Sequence, residues 1–101
     1  MTARYTPEAT RDITSVLRTA SAQSPQFGER PSKALQRAIK ICDENPRANP
    51  QTRVAFVRRC PLKRYRYTIF YRFTPGLPEI EVLRVVHSAR VRSLYRVPKA
   101  K

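Results

Sequence analysis

Arginine and tyrosine dominate the residues of this chain that could do chemistry, and they are interleaved. The stretch RYRYTIFYRF, Arg64 to Phe73, sets guanidinium groups between aromatic rings. A guanidinium fork matches the geometry of a phosphate or a carboxylate, and a tyrosine beside it can stack on a base or pack in a core. Arg64, Arg66 and Arg72, with Arg90, Arg92 and Arg96 further on, are therefore candidate contacts for an anionic target. Arg58 and Arg59 add two more cations just before this stretch. They could equally form a solvated face. His87 is the single histidine, and the side chain whose ordinary pKa lies near neutrality. Without a carboxylate close in sequence to orient it, it reads first as a hydrogen-bonding residue at a strand end. Cys42 and Cys60 stand 18 positions apart with no CxxC pattern, poor material for a zinc site or a thiol redox centre. Both are expected to be buried as small hydrophobes, and no metal or other cofactor is expected.

The charge agrees with the arginine pattern. The chain carries 21 Lys and Arg against 7 Asp and Glu, a net +14 over 101 residues. Residues 1–50 hold eight basic and five acidic side chains, whereas residues 51–101 hold thirteen and two. A field concentrated in one half favours nucleic acid, a ribonucleoprotein or an acidic protein as partner. No apolar run approaches the roughly 20 residues that span a bilayer, and the start, MTARYTPEATRDI, lacks the apolar core of a signal peptide. The expected location is the cytoplasm, with no membrane partner.

The elements that must position these residues follow from spacing. Thr6-Pro7-Glu8 has the grammar of a helix start: a hydroxyl to cap, a proline where its missing N–H costs nothing, and an acid at the positive end of the dipole. Ile13, Val16, Leu17 and Ala20 then fall on one helical face, and Leu35, Ala38, Ile39 and Cys42 repeat the pattern after SPQFGERP. Asn45-Pro46 ends the second helix. From Thr52 the period becomes strand-like. Strands are expected at Arg53–Arg58, stopped by Cys60-Pro61, then along the opening stretch, then at Ile80–His87. In the middle strand Tyr67, Ile69, Tyr71 and Phe73 share one face, and Arg66, Thr68, Phe70 and Arg72 the other. TPGLP makes the intervening turn, with Gly76 free to take a positive φ. Ile80–His87 is apolar on both faces apart from its charged residues, so it is expected at the sheet centre, with Arg84 paired to Glu81 or to a partner's acid. Arg4 to Thr6 could add a short edge strand.

The fold class is thus α+β in a single domain. A helical hairpin at about 7–45 packs on a three- to four-stranded, mainly antiparallel sheet at about 53–88, with one face left to solvent, and a basic tail follows at 89–101.

Taken together, the element order, TPEA at Thr6–Ala9, the closing Asn45-Pro46, VRR at Val57–Arg59, the YRYTIFYRF strand and IEVLRVVHSAR at Ile80–Arg90 resemble the RelE/ParE superfamily of toxins from bacterial type II toxin–antitoxin modules. The resemblance covers nearly the whole chain. It implies one of two activities that the fold alone does not separate. RelE-like members cut mRNA in the ribosomal A site, which needs groups to move protons and cations around the phosphorane; candidates carried over here are Arg58, Arg59, His87, Arg90, Arg92 and Tyr95. ParE-like members are not nucleases and poison DNA gyrase. Two departures weigh against cleavage: Tyr95 comes one residue sooner than in RelE, and Thr68 stands where RelE carries an arginine. The 37 residues from Ala9 to Asn45 resemble the longer hairpin of ParE-like toxins.

The resemblance also implies a hetero-oligomer with a cognate antitoxin that has a DNA-binding domain and an acidic, flexible segment wrapping the toxin. Val16, Leu35 and Arg84 are the candidate antitoxin contacts. A basic module that only binds nucleic acid is the remaining alternative, separable by steep salt dependence and by the absence of growth arrest.

Overall fold

Thr6 caps the first helix as its sequence grammar requires: its Oγ1 accepts from the Ala9 N–H at 3.0 Å, and helix α1 runs Pro7–Ser21. The same hydroxyl donates to the Leu83 carbonyl at 2.8 Å, so one threonine both starts the helix and ties it to the sheet. The computed structural model describes residues 3–21, 31–62 and 67–87. Within them a short strand β1, Arg4–Tyr5, precedes α1; helix α2 spans Pro31–Glu44; and strands β2, Val57–Leu62, β3, Tyr67–Arg72, and β4, Glu81–His87, complete the α+β arrangement.

The sheet order is β1-β4-β3-β2. The two pairings among β2, β3 and β4 are antiparallel, and β1 joins β4 in parallel through Arg4 opposite Glu81 and Tyr5 opposite Val82. β4 is therefore internal, as its two apolar faces require. The helices cover one face. Ala9 and Val16 of α1 and Leu35, Ile39 and Cys42 of α2 meet Ile69, Tyr71, Ile80, Val82 and Val85 in the main core.

Three expectations are corrected. The first strand does not occupy Arg53–Arg58 but starts at Val57 and continues through Cys60 and Pro61 to Leu62. Residues 53–56 turn instead, because Gln51 and Thr52 supply side-chain partners: the Thr52 hydroxyl donates to the Val57 carbonyl at 2.8 Å and accepts from the Val54 N–H at 3.2 Å. Pro61 does not stop the strand because β2 lies at the sheet edge. The Arg59 N–H points outward, to the Pro50 carbonyl at 3.1 Å; two residues on, the missing N–H of Pro61 lies in the same outward direction and costs no ladder bond.

The second correction concerns the face away from the main core. Phe70, Val57, Leu83 and Val86 form a second buried cluster there, and Thr68 is buried as well. That face is not left to solvent across its middle. The third concerns Arg84. A bulge in the β3–β4 ladder leaves Leu83 without a partner between the pairs Tyr71–Val82 and Phe70–Arg84, so the alternation resets and Val82 and Val85, three apart, both enter the main core. Arg84 is thereby presented to α1, where Asp12 and not Glu81 takes it, with Nε 2.6 Å and Nη2 3.2 Å from the two carboxylate oxygens. Glu81 pairs with Arg72 instead, at 2.5 Å.

Phe56 has φ +66° and is half exposed. A bulky side chain in the left-handed region costs on the order of 1 kcal/mol. Phe56→Gly is expected to raise stability by about 0.5–1 kcal/mol in chemical denaturation; a loss of similar size would mean that the ring packs more than its exposure indicates. Gly76, at φ +93° in the β3–β4 turn, has the backbone freedom its TPGLP context called for.

Candidate functional site

The charge field begins with where the acids go. Asp12 on α1 takes the Arg84 guanidinium and also accepts from the Val85 N–H at 2.9 Å. Asp43, near the end of α2, accepts from the Ile80 N–H at 3.0 Å. Glu81 lies between Arg72 and Arg4, at 2.5 and 3.9 Å. Three of the chain's seven acids are thus used internally to fasten β4 and its neighbours. The surface keeps a strongly positive field as a result.

The sequence-derived candidates fall into separate groups. Arg58 shares the helix-covered face with Tyr71, and its Nη1 donates to the Asn49 carbonyl at 2.6 Å and the Arg47 carbonyl at 3.4 Å. It holds the segment after α2 onto the sheet. Arg59, next along β2, is exposed and makes no ion pair among the described residues. With Arg53 and the half-exposed Phe56 it forms the described part of a basic, partly apolar margin along the β2 edge. His87 closes β4 opposite Tyr67, with the two rings edge to face at 5.5 Å and 80°.

Arg58 sits opposite Tyr71 and His87 opposite Tyr67, four residues apart along β3 and so roughly 13 Å at the rise of a strand. These two candidates for RNA cleavage are not brought together. Thr68, set against an arginine in the resemblance to RelE, is 5% exposed. Arg64, Arg66, Arg90, Arg92, Tyr95 and Arg96 lie outside the described residues.

Tyr71 anchors the middle of the main core. Its hydroxyl donates to the Pro46 carbonyl at 2.8 Å and accepts from the Asn49 amide at 3.1 Å. Burial of the phenol pushes its pKa up to about 12. The Arg47 guanidinium stacks over the Phe73 ring at 5.3 Å from its centroid. Sequence reasoning missed this arrangement, in which Arg47, Asn49, Arg58 and Tyr71 form one packed unit. The Asn45-Pro46 that ends α2 hinted only at a turn there.

Between the helices, a groove of about 270 Å³ is lined by Tyr5, Ile13, Leu17, Leu35 and Ile39, with Thr10, Thr14 and Gln36 at its margin. Of the expected antitoxin contacts, Leu35 reaches this groove although only 5% exposed, Val16 is buried in the core at 7%, and Arg84 is held by Asp12. Tyr5, at 45% exposed, is the larger apolar surface, and its membership in the two-residue strand β1 gave no sequence signal for that role. Among the described residues no three His, Cys, Asp or Glu side chains converge, and no helix is long and apolar enough to cross a membrane.

Comparison with known proteins gives a family and a fold. Residues 3–92 match the family described as "ParE toxin of type II toxin-antitoxin system, parDE". Among solved structures, a chain of the "Chromosomal ParDE TA system from P. aeruginosa" is similar at a TM-score of 0.67 and 20% sequence identity, over 86% of this chain and 95% of that one. No curated protein matches by sequence.

Proposed function

The chain belongs to the ParE family of type II toxin–antitoxin toxins, and from that premise we propose that it arrests growth by poisoning DNA gyrase, and that a cognate antitoxin holds it inactive. One observation carries the choice of gyrase over RNA: Arg58, a cleavage candidate on β2, has its guanidinium bound to two backbone carbonyls, far along the sheet from His87. General acid–base cleavage needs such groups within hydrogen-bond reach of one scissile phosphate. A poison that acts by binding needs only a complementary surface, and the Arg53, Phe56 and Arg59 margin offers one to gyrase or its DNA. Arg64, Arg66, Arg90, Arg92 and Arg96 are proposed as further target contacts on their charge alone.

The antitoxin reading rests on two features. The chain is strongly basic, and the groove beside Tyr5 and Leu35 is apolar with a polar rim. An acidic, amphipathic segment that folds as it binds would satisfy both.

Pulse labelling after induction without the antitoxin tests the target. DNA synthesis is expected to fall within minutes, with a DNA-damage response, while protein synthesis persists. With purified components, the chain is expected to lower gyrase supercoiling and to accumulate cleaved plasmid. Protein synthesis collapsing first would overturn the gyrase reading in favour of mRNA cleavage. Normal growth with abundant soluble chain would overturn toxicity itself.

A further inference from the structure

We propose that Cys42 and Cys60 are an oxidisable thiol pair that closes an intrachain disulfide between α2 and β2 when the folded chain meets a peroxide. The sequence suggested two inert, buried thiols, and both are free in this structure. The fold nevertheless brings them together from positions 18 apart. Cys42 lies on the inner face of α2, 0% exposed and inside the main core. Cys60 stands opposite Ile69 on the edge strand, half-buried, and packs against the same cluster. α2 packs directly on β2, both side chains belong to one packed cluster, and the two thiols are near enough for each to perturb the other's titration. The Asn49 amide, 3.4 Å from the Cys42 Sγ, fixes the orientation of that side chain from the other side.

The two sulfurs are not equivalent. The neighbouring Cys42 thiol, as a donor, favours the Cys60 thiolate and lowers its pKa. The interaction with Cys60, then burial, holds Cys42 in its protonated form. Cys60, on an edge strand and closer to solvent, is accordingly the attacking group. Its thiolate attacks one peroxide oxygen; the O–O bond breaks, leaving a sulfenic acid on Cys60 and a hydroxide that takes up a proton and departs as water. Cys42 then gives up its proton and attacks the Cys60 sulfur. The S–S bond forms as the S–O bond breaks, and the leaving hydroxide takes that proton as a second water. Two thiols are oxidised to one disulfide, and the peroxide is reduced to water. The new bond would tether the helical hairpin to the sheet edge across an 18-residue separation, constraining the unfolded chain. This inference is independent of the toxin's target.

The test treats the full-length folded chain with dilute hydrogen peroxide, quenches with an alkylating agent and digests with trypsin without reduction. The expected product is residues 41–47 linked to residues 60–63, lighter than the two thiol peptides together by two hydrogens and separated again by a reductant. Recovery of both peptides alkylated, or linkage only between two chains, would overturn the proposal. A second arm assigns the roles. Cys42→Ala should leave a Cys60 sulfenic acid that a cyclic 1,3-diketone captures, and Cys60→Ala should leave Cys42 unmodified. Capture on Cys42 in the second variant would refute the assignment of Cys60 as the attacking thiol.

Discussion

Replacing Asp12 by alanine is expected to lower the unfolding free energy by about 3 kcal/mol. The carboxylate has two tasks. It pairs with the Arg84 guanidinium through both oxygens, and it accepts the Val85 N–H, which lies beside the β4 bulge. Removing it takes the bidentate carboxylate from the Arg84 guanidinium and the acceptor from the Val85 N–H at one stroke. Arg84 is 32% exposed and Asp12 17% exposed as side chains, so water recovers part of the lost charge interaction, and the estimate stays below the value for a wholly buried pair. The thermal midpoint should drop by roughly 10–20 °C. Asp12→Asn keeps an acceptor for Val85 and should cost about half as much. Adding Arg84→Met to Asp12→Ala should recover part of the loss, about 1 kcal/mol, by removing the cation that has lost its carboxylate. If Asp12→Ala shifted chemical denaturation by less than about 0.5 kcal/mol, the bulge would not depend on this carboxylate.

Tyr71→Phe is expected to cost about 2 kcal/mol, because the Pro46 carbonyl then loses its donor and the Asn49 amide keeps only the weak Cys42 sulfur acceptor, at a site that is 0% exposed. The pH dependence provides an independent check. The phenol has an ordinary value of 10.0 and is pushed up to about 12 in the fold, chiefly by burial. The native state therefore keeps its proton where the unfolded chain has lost it. Stability from this group is fully present below pH 10 and is lost as pH rises through about 12. Tyr71→Phe should make that alkaline decline visibly shallower, leaving the part due to Tyr5 and Cys42, whose pKa values are also raised. An unchanged slope between pH 10 and pH 12 would mean that Tyr71 is not the group being titrated.

Parts of the fold were legible because they depend on neighbours in sequence. The Thr6 cap, the proline at the start of α1, the apolar stripes Leu35-Ile39-Cys42 and Ile13-Val16, and the Gly76 turn all follow from residues within a few positions of one another. The start of β2 was misread for a related reason: Val54, Ala55 and Phe56 look strand-like until Gln51 and Thr52 capture the local backbone groups. The candidate site was less legible. That Arg58 would be taken up by the Asn49 and Arg47 carbonyls could not be read from VRR, since an arginine free to bind a phosphate and one bound to a loop look identical in one dimension.

By itself, then, the sequence determined the order of elements, the helix boundaries near Thr6 and Asn45, the internal position of the apolar strand ending at His87 and the positive field. These depend on backbone propensity, hydrophobic period and summed charge, which act locally or add without regard to position. Only the tertiary structure decided that Asp12 meets Arg84 across 72 positions, that a bulge resets the alternation of β4, that a second cluster forms around Phe70, and that Cys42 and Cys60 become neighbours. Each of these depends on the register between elements distant in the chain. That register is settled by how the two faces of one sheet can be packed simultaneously, and no short window of sequence contains it.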